Sequence, residues 1–419
     1  MSDKVYTYRD AGVHLRSMKL LNRAGELAGR AGWAGPSLAP RSILEAARKQ
    51  TGLSDLGKDT LREPLAILEE AFENEAGLTT LGRLAARGLL VGAVANRLKV
   101  LDWVRQYPEV REEKISAPWI ILGLPRTGTT LLSLLMGLDP MARPLLQWEA
   151  SSPVPPPDLA THAEDPRIAQ GQKQHQRLRS LNPPIEAMHP FGATLATECV
   201  TLLMFDLRSL AIETQALIPS YGRWLEETDM TYAYELHELS LKILQSRYPT
   251  DRWVLKTPNH LWCLDTVRER YPDARLIWTH RDPASVVTSV ASLNSAMHSA
   301  TTAEIDPVAI AEEWTHKLHL AVSRGVEWDR YQQGADWCFH LNYDELMADP
   351  VAAVIELYRS FGEEPNALHI RRMEAWMRER PQNAFGRHGY DPQDFNLTRQ
   401  GVHERFAEYI ERFDVPVRP

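Results

Sequence analysis

The segment GLPRTGTT at residues 123–130 combines two glycines, a cation and several hydroxyl groups, as an anion-binding loop requires. Gly123 and Gly128 are separated by four residues, as in the phosphate loop of nucleoside triphosphatases. In that loop backbone amides surround the phosphates, a lysine contacts the outer ones and a hydroxyl holds Mg²⁺. Here Thr129 occupies the position of the lysine, and Arg126 lies inside the loop instead. The segment therefore predicts an anion site without the usual lysine.

A second cation, Lys256, lies in the segment RWVLKTPNH at residues 252–260. An apolar run precedes this lysine and Pro258 follows two residues later, so the lysine is predicted to end a strand. Ligands of open α/β sheets bind at the carboxyl ends of strands. An ordinary surface lysine in a strand-to-loop turn would give the same local pattern, so this segment alone leaves both interpretations open.

A third candidate group lies in the segment ARLIWTHRDPASVVTS at residues 274–289. A strand-like run leads into Arg281, and Asp282 with the following proline opens a helix. Ser289 comes eight residues after Arg281, about two turns into that helix. The guanidinium and the hydroxyl could converge on a second phosphate. A local salt bridge between Arg281 and Asp282 is the alternative interpretation.

The elements that must position these groups alternate along the chain from residue 118 onward. Strand-like runs alternate there with helices, which is typical of a parallel sheet flanked by helices. The predicted strands are Trp119–Leu122, Pro144–Gln147, Trp253–Lys256, Arg275–Thr279 and Trp337–Leu341. A helix at residues 131–138 follows the loop directly, so strand, loop and helix N-terminus would form one anion site. The sequence predicts an α/β fold with a P-loop-type parallel sheet.

Two helical regions are predicted around this sheet. Residues 1–115 form a helical N-terminal region, whose amphipathic segments are Ser42–Gln50, Glu63–Glu75 and Leu78–Val104. The α/β domain spans residues 116–419 and carries a helical insertion at about residues 151–250. An insertion of this kind often builds a substrate pocket. Its large aromatic residues include Phe205, Tyr221 and Trp224. Ordinary helix packing would use the same residues.

The overall composition restricts the class of protein. The chain has 419 residues and a formal net charge of -8, which argues against a general nucleic-acid binder. Its cysteines, Cys199, Cys263 and Cys338, are odd in number and far apart, and indicate neither a disulfide framework nor a zinc site. The apolar run at residues 88–95 is too short to span a bilayer. We expect a cytoplasmic protein without a nucleic-acid or membrane partner.

Taken together, the loop at residues 123–130, the Lys-Thr-Pro turn and the Arg281 and Ser289 pair resemble a known family. They resemble the donor-binding elements of the sulfotransferases that use 3′-phosphoadenosine 5′-phosphosulfate. The likeness covers about residues 118–413 and is greater to bacterial members than to the tyrosylprotein branch. It implies transfer of a sulfuryl group to a hydroxyl of an acceptor. The aromatic residues of the insertion, and they alone, predict a small or medium-sized acceptor of apolar or aromatic character. The likeness also implies no metal, because this donor has no γ-phosphate.

The resemblance implies a role for each residue of these elements. Around the 5′-phosphosulfate it places Pro125, Arg126, Thr127, Gly128, Thr129 and Thr130. Lys256 resembles the lysine that bridges the phosphate and the departing sulfuryl group, while Arg281 and Ser289 resemble ligands of the 3′-phosphate. Tyr343 matches a tyrosine near the adenine in some branches. Arg387 lies where the family places a loop over the 3′-phosphate, although the fuller Arg/Lys-Gly pattern of cytosolic members is missing here.

The acceptor hydroxyl must also lose a proton, and two residues are candidates for the base. Glu149 resembles the catalytic glutamate of the tyrosylprotein branch. Its distance in sequence from Pro140 is two residues longer than the corresponding distance in that branch. His260 comes four residues after Lys256, whereas cytosolic members use a histidine two residues after their lysine. We favour Glu149 because its position matches better, and His260 is the alternative.

Two other classes of protein compete with this interpretation. A P-loop kinase or nucleoside triphosphatase would share the fold, but Thr129 in place of the lysine disfavours it. A non-catalytic helical scaffold with a degenerate loop would leave the spacing of Arg281 and Ser289 unexplained.

Overall fold

The computed structural model describes residues 4–33, 35–189, 192–332, 338–379 and 387–418. A five-stranded parallel sheet lies at its centre, and a separate pair of two-residue strands joins residues near the two ends of the described chain. The strands in chain order are β1 (Val5–Tyr6), β2 (Trp119–Gly123), β3 (Ala142–Pro144), β4 (Arg252–Lys256), β5 (Arg275–His280), β6 (Cys338–Asn342) and β7 (Arg387–His388). The predicted α/β fold with a parallel sheet is confirmed.

Helices cover both faces of this sheet. Their bounds are α1 (Arg16–Arg30), α2 (Pro40–Thr51), α3 (Arg62–Asn74), α4 (Thr80–Gln106), α5 (Thr129–Met136), α6 (Gln147–Ser151), α7 (Pro166–Leu181), α8 (Ile185–Met188), α9 (Val200–Leu203), α10 (Pro219–Glu227), α11 (Thr231–Gln245), α12 (Leu264–Arg270), α13 (Pro283–His298), α14 (Pro307–Tyr331), α15 (Tyr343–Ala348), α16 (Pro350–Ser360), α17 (Ala367–Glu379), α18 (Arg399–Arg405) and α19 (Ala407–Arg412). No helix within the described ranges is both long and apolar enough to cross a membrane.

The sheet order β3-β4-β2-β5-β6 places the three strands that carry the candidate groups next to one another. β2 is central and wholly buried, as expected for a parallel strand covered on both faces. It pairs through Ile121 with Lys256 on β4 and through Gly123 with Thr279 on β5. The carboxyl ends of all three strands therefore meet at one edge, which explains how groups far apart in sequence share a site.

The predicted strands agree with the strands of the sheet, except that the bounds of the second and fifth predicted strands differ. The prediction of a strand at Pro144–Gln147 is wrong in its bounds, because the strand is Ala142–Pro144 and Gln147 begins α6. The reason is local, since the Glu149 carboxylate accepts a hydrogen bond from the Leu146 amide and caps that helix. The fifth strand is Cys338–Asn342, and Trp337 lies outside the described residues.

The aromatic residues of the insertion belong largely to the core. Phe205 and Tyr221 are buried, and the Tyr221 hydroxyl donates to the carbonyl of Leu207. Only Trp224 of the three singled out in the sequence is partly exposed. Helix packing therefore explains Phe205 and Tyr221, and they provide no support for an aromatic acceptor.

Candidate active site

The backbone of the loop after β2 has an unusual conformation that its glycines permit. Gly123 has a φ of +127°, and a Cβ atom there would lie 2.5 Å from the Thr279 carbonyl oxygen on β5. Gly128 precedes the first turn of α5 with a φ of +85°. Arg126 has a φ of +67°, which costs an L-residue about 1–2 kcal/mol. Arg281 stabilises this conformation by donating from Nη1 to the Arg126 carbonyl oxygen at 2.6 Å.

The threonines of the loop divide into two roles. Thr127 is buried, and its hydroxyl donates to the Leu124 carbonyl at 2.7 Å and shares a hydrogen bond with the Thr279 hydroxyl at 2.6 Å. These contacts join the loop to β5, so the Thr127 side chain is structural. Thr129 and Thr130 lie half-buried in the first turn of α5, and their hydroxyls have no hydrogen-bond partner within the described part of the chain. The hydroxyls of Thr129 and Thr130 therefore remain available to an anion. Pro125, at the start of the loop, is half-buried as well.

The cations predicted on the loop and after β5 lie together. Arg126 Nε donates to the Ser289 hydroxyl at 3.1 Å, which joins the loop to α13. The Arg281 guanidinium lies 4.0 Å from the ring centroid of Tyr343. The Tyr343 ring also borders Gly128, because a Cβ atom on that glycine would lie 3.4 Å from a ring carbon. The structure therefore brings together Arg126, Arg281, Ser289 and Tyr343.

This cluster carries an excess of positive charge. Among the described residues, neither Arg126 nor Arg281 forms an ion pair with a carboxylate. The alternative pairing of Arg281 with Asp282 is wrong, because the Asp282 carboxylate contacts His403 at 2.8 Å and Arg399 at 3.1 Å. Burial, together with the neighbouring Arg281, lowers the pKa of Arg126. Two adjacent guanidiniums without acidic partners favour the binding of an anion.

The segment that contains Arg387 passes beside the same cluster. β7 pairs with β1, and His388 Nε2 forms a hydrogen bond of 2.9 Å with the Ser292 hydroxyl, one turn beyond Ser289. Burial and the charge of Arg126 lower the pKa of His388 to about 3. The Arg387 side chain is exposed, and Gly386 lies outside the described residues. The role predicted for Arg387 stays a prediction.

Lys256 lies at the end of β4 beside a carboxylate that the sequence analysis missed. Its Nζ is 3.1 Å from Oε1 of Glu198, and the Cys199 amide donates to the Lys256 carbonyl at 2.9 Å, which holds Glu198 next to the lysine. Burial alone would raise the pKa of Glu198, but Lys256 and His189 hold it below its ordinary value. The Glu198 side chain is 26% exposed. It is thus a partly accessible carboxylate in contact with the predicted catalytic lysine.

Glu149 has a different environment. It is fully buried, and its Oε1 lies 2.6 Å from Nη2 of Arg143 and 3.0 Å from Nε2 of His162. Its Oε2 accepts from the Leu146 amide. Burial would raise the pKa of Glu149, but His162 and Arg143 hold it below its ordinary value. Because both oxygens have committed partners, this geometry favours a structural role over proton transfer.

His260 is also enclosed. It lies in the 3-10 turn Pro258–Trp262 after β4, is fully buried, and its Nδ1 is hydrogen-bonded to the Tyr234 hydroxyl at 2.6 Å. Burial, with a contribution from His237, lowers the pKa of His260 well below its ordinary value, so the ring is neutral. Its burial favours a role in supporting the turn after Lys256.

We expect the Glu149→Gln variant to lose stability more than activity. The substitution leaves the buried Arg143 guanidinium without its charged partner, and breaking a buried pair costs roughly 3–5 kcal/mol of unfolding free energy. Urea denaturation at neutral pH measures this loss. Glu45→Gln, which removes an exposed pair with Arg41, is the matched control and should leave the unfolding free energy nearly unchanged.

The same variant provides a pH test. Because the pKa of Glu149 is lowered on folding, its contribution is present at neutral pH and is lost as the pH falls through the pKa of the folded state. The difference in stability between wild type and Glu149→Gln should therefore shrink in acid. A constant difference between neutral and strongly acidic pH would contradict a charged Glu149.

Comparison with known proteins assigns the class. A model of the sulfotransferase family matches residues 118–366, which include the loop, Lys256, Arg281 and Ser289. The chain therefore belongs to the sulfotransferase family, whose reaction is the transfer of a sulfuryl group.

Solved and curated relatives agree with this assignment. The structure of sulfotransferase STF1 from Mycobacterium tuberculosis H37Rv is similar with 31% identity and a TM-score of 0.79, covering 89% of this chain and 99% of that one. Sulfotransferase STF9 from Mycobacterium avium is 30% identical with a TM-score of 0.83, covering 90% and 97%. The omega-hydroxy-beta-dihydromenaquinone-9 sulfotransferase Stf3 of Mycobacterium tuberculosis (strain CDC 1551 / Oshkosh) is 22% identical over 303 residues, which are 71% of this chain and 74% of that protein.

Proposed function

We propose that this protein transfers a sulfuryl group from 3′-phosphoadenosine 5′-phosphosulfate to a hydroxyl of a small or medium-sized apolar acceptor. The observation that carries the proposal is a pair of guanidiniums without an acidic partner among the described residues. Arg126 donates to the Ser289 hydroxyl, and Arg281 donates to the Arg126 carbonyl. A donor with phosphate groups at both ends of a ribose supplies two separate anions. The arginine cluster would bind one of these anions, and the loop at residues 123–130 would bind the other.

Each part of the donor has suitable groups. The amides of the loop with the hydroxyls of Thr129 and Thr130 would hold the 5′-phosphosulfate at the N-terminus of α5. Arg281 and Ser289 would bind the 3′-phosphate, with Arg126 between the two anions. Tyr343 borders Gly128 and has the Arg281 guanidinium over one face of its ring, so it would contact the adenine with the opposite face.

We assign the chemical step to Lys256 and Glu198. The acceptor oxygen attacks sulfur, the bond from sulfur to the bridging phosphate oxygen breaks, and Glu198 takes the acceptor proton. Lys256 stabilises the negative charge that develops on the bridging oxygen. The products are a sulfate ester, 3′,5′-adenosine bisphosphate and a proton. Glu198 is preferred over Glu149 and His260 because it contacts Lys256 and is partly exposed, whereas the other two side chains are fully buried.

The apolar character of the acceptor is supported by the relatives and not by the insertion. The name of the Stf3 relative states an acceptor with a terminal hydroxyl on a dihydromenaquinone, which is largely hydrocarbon. We propose an acceptor of the same class, a hydroxyl carried on an apolar chain or ring. A screen of hydroxylated isoprenoid quinones and hydroxylated aromatic compounds with radiolabelled donor tests this class, and transfer only to sugars or peptides would contradict it.

Calorimetry with the product nucleotide tests the donor. The protein should bind 3′,5′-adenosine bisphosphate in the presence of EDTA, because the cluster offers cations, amides and hydroxyls to both phosphates. Within the described ranges, no group of three His, Cys, Asp or Glu residues has the arrangement of a metal site. Tight binding of ATP with Mg²⁺ and none of the bisphosphate would favour a kinase or triphosphatase and overturn the proposal.

The Arg281→Ala variant distinguishes the two phosphate sites. A hydrogen bond to a charged group is worth about 1.5–3 kcal/mol, so the variant should bind 3′,5′-adenosine bisphosphate roughly ten- to a hundredfold more weakly. Its affinity for 5′-AMP, which has no 3′-phosphate, should fall less, and only because the loop loses the hydrogen bond from Arg281 to the Arg126 carbonyl. Arg275→Ala is the matched control, because Arg275 begins the same strand and pairs with Glu363. Equal weakening of both ligands would remove Arg281 from the 3′ site.

A further inference from the structure

Helix α1 carries an exposed stripe in which arginines and leucines alternate. The stripe consists of Arg16, Leu20, Arg23, Leu27 and Arg30, whose spacings of four and three residues place them on one face of a helix. All five side chains are exposed, and Leu20 and Leu27 are 63% and 65% exposed. The mechanism proposed above uses none of these residues.

The opposite side of α1 holds the helix on the body of the protein. Gly25 lies against the Thr80 side chain at the start of α4, so closely that a Cβ atom would overlap it. Asn22 accepts a hydrogen bond of 2.9 Å from the Leu81 amide. Helix α1 contains no fully buried residue. The docking contacts therefore leave the whole alternating stripe facing away from the core.

Further large apolar side chains extend the stripe beyond the helix. Leu15, just before α1, is 38% exposed, and Trp33, just after it, is 48% exposed. The Trp33 amide donates to the Ala28 carbonyl, which ties the tryptophan to the helix end. Twelve large hydrophobic side chains are exposed in the described part of the chain, and four of them fall within residues 15–33. Exposed apolar surface is thus concentrated in this short segment.

The charge of α1 is opposite to that of the chain. The helix contains the cations Arg16, Lys19, Arg23 and Arg30 and one carboxylate, Glu26, whereas the whole chain has a formal net charge of -8. A helix with basic and apolar residues on its free side has the properties of one that lies in the interface of a bilayer. There the leucines and the tryptophan enter the acyl boundary and the arginines reach lipid phosphates.

We propose that the segment from Leu15 to Trp33 binds the surface of a bilayer that contains anionic lipids. The proposal goes beyond the proposed function and does not depend on it. It replaces the expectation of no membrane partner, which rested on the lack of a segment long enough to span a bilayer. A second copy of this chain fits the stripe less well, because pairing through it would bring two rows of arginines together. An acidic protein would neutralise the arginines but not by itself cover the leucines.

Vesicle flotation of the full chain tests the proposal. The wild-type protein should float with vesicles of phosphatidylglycerol and phosphatidylcholine, bind those of phosphatidylcholine alone more weakly, and lose affinity as salt is raised. Replacing Leu20 and Leu27 with glutamine should weaken binding at least tenfold. Replacing Arg16 and Arg23 with glutamine should weaken it by about fivefold for each arginine.

A matched control separates this effect from a general change of surface. Leu368 and Arg371 lie exposed on α17, and their replacement with glutamine removes one leucine and one arginine elsewhere. This control should float like the wild type, and every variant should keep the wild-type midpoint of urea denaturation, because an unchanged midpoint shows that the fold is intact. Equal flotation of the α1 variants and wild type, or no flotation of the wild type, would overturn the proposal. The proposal would also be overturned if the wild-type protein were a dimer that does not bind vesicles and that the leucine substitutions convert to a monomer.

Discussion

Substitution of Glu198 by glutamine is expected to lower sulfuryl transfer by ~10²–10⁴ while leaving donor affinity nearly unchanged. Glutamine keeps the shape of the side chain and can still accept a hydrogen bond from Lys256, but it cannot take a proton from the acceptor. Turnover with the acceptor found by the screen, and calorimetry with 3′,5′-adenosine bisphosphate, measure the two quantities separately.

The pH profile provides a readout that a structural role would not move. Because Lys256 and His189 lower the pKa of Glu198, the wild-type rate should fall only when the pH drops below the ordinary range of a glutamate. This acidic limb should be absent from the small residual rate of Glu198→Gln. Glu235→Gln is a close control, since Glu235 pairs with Lys58 at 2.7 Å and is 29% exposed. Its turnover should match the wild type.

Three outcomes are distinguishable. Near-normal turnover of Glu198→Gln together with an inactive His260→Ala would make His260 the base despite its burial. Near-normal turnover of Glu198→Gln together with an inactive but folded Glu149→Gln would return the role to Glu149. Loss of donor affinity in Glu198→Gln would show that this side chain acts by positioning Lys256.

Lys256→Met should lower turnover by ~10²–10³, the usual cost of removing one group that stabilises developing charge. Methionine fills the buried volume of the lysine stem but cannot neutralise the bridging oxygen. It also deprives Glu198 of its ion partner, so the pKa of that carboxylate should rise and the acidic limb of the pH profile should move to higher pH. Steady-state rates across the pH range measure both effects.

The control for this substitution is Lys58→Met, which removes the lysine of the pair with Glu235 on the surface. In the proposed step Lys256 and Glu198 act on opposite ends of one transfer, so the double variant should lose less than the product of the two single losses. Full turnover by Lys256→Met would exclude a role for the lysine at the leaving oxygen.

Local sequence patterns indicated most of the residues of the proposed donor site. The loop at residues 123–130 and the spacing of Arg281 and Ser289 each follow from a strand that runs into a helix, and such units keep their geometry in any parallel sheet. Thr127 was assigned to the donor by its place in the motif, yet its hydroxyl is used within the loop and by β5. The motif determines the path of the backbone better than the contacts of each side chain.

The position of the carboxylate beside Lys256 could not be predicted in this way. Glu198 lies 58 residues before Lys256 and is brought to it by a backbone contact at Cys199, so no local spacing indicates it. The family pattern favours Glu149 as the base because of its position. The contact between Glu149 and His162 is tertiary, and the residues between them show no periodicity that would predict it. Arg143, six residues before Glu149, was the one nearby signal of a structural pair.

The pairing of β1 with β7 has a consequence for the order in which the protein can form. Val5 and Tyr6 pair with Arg387 and His388, and His388 bonds to Ser292 beside the predicted donor cluster. Residues 4–6 leave the ribosome before the strands of the central sheet, and their partners emerge only after all five of those strands have been made. The five-stranded sheet can therefore form before His388 is in place beside the cluster. A competent donor site should appear as one of the last events of biosynthesis, and extensions fused close to residue 4 would lie next to it.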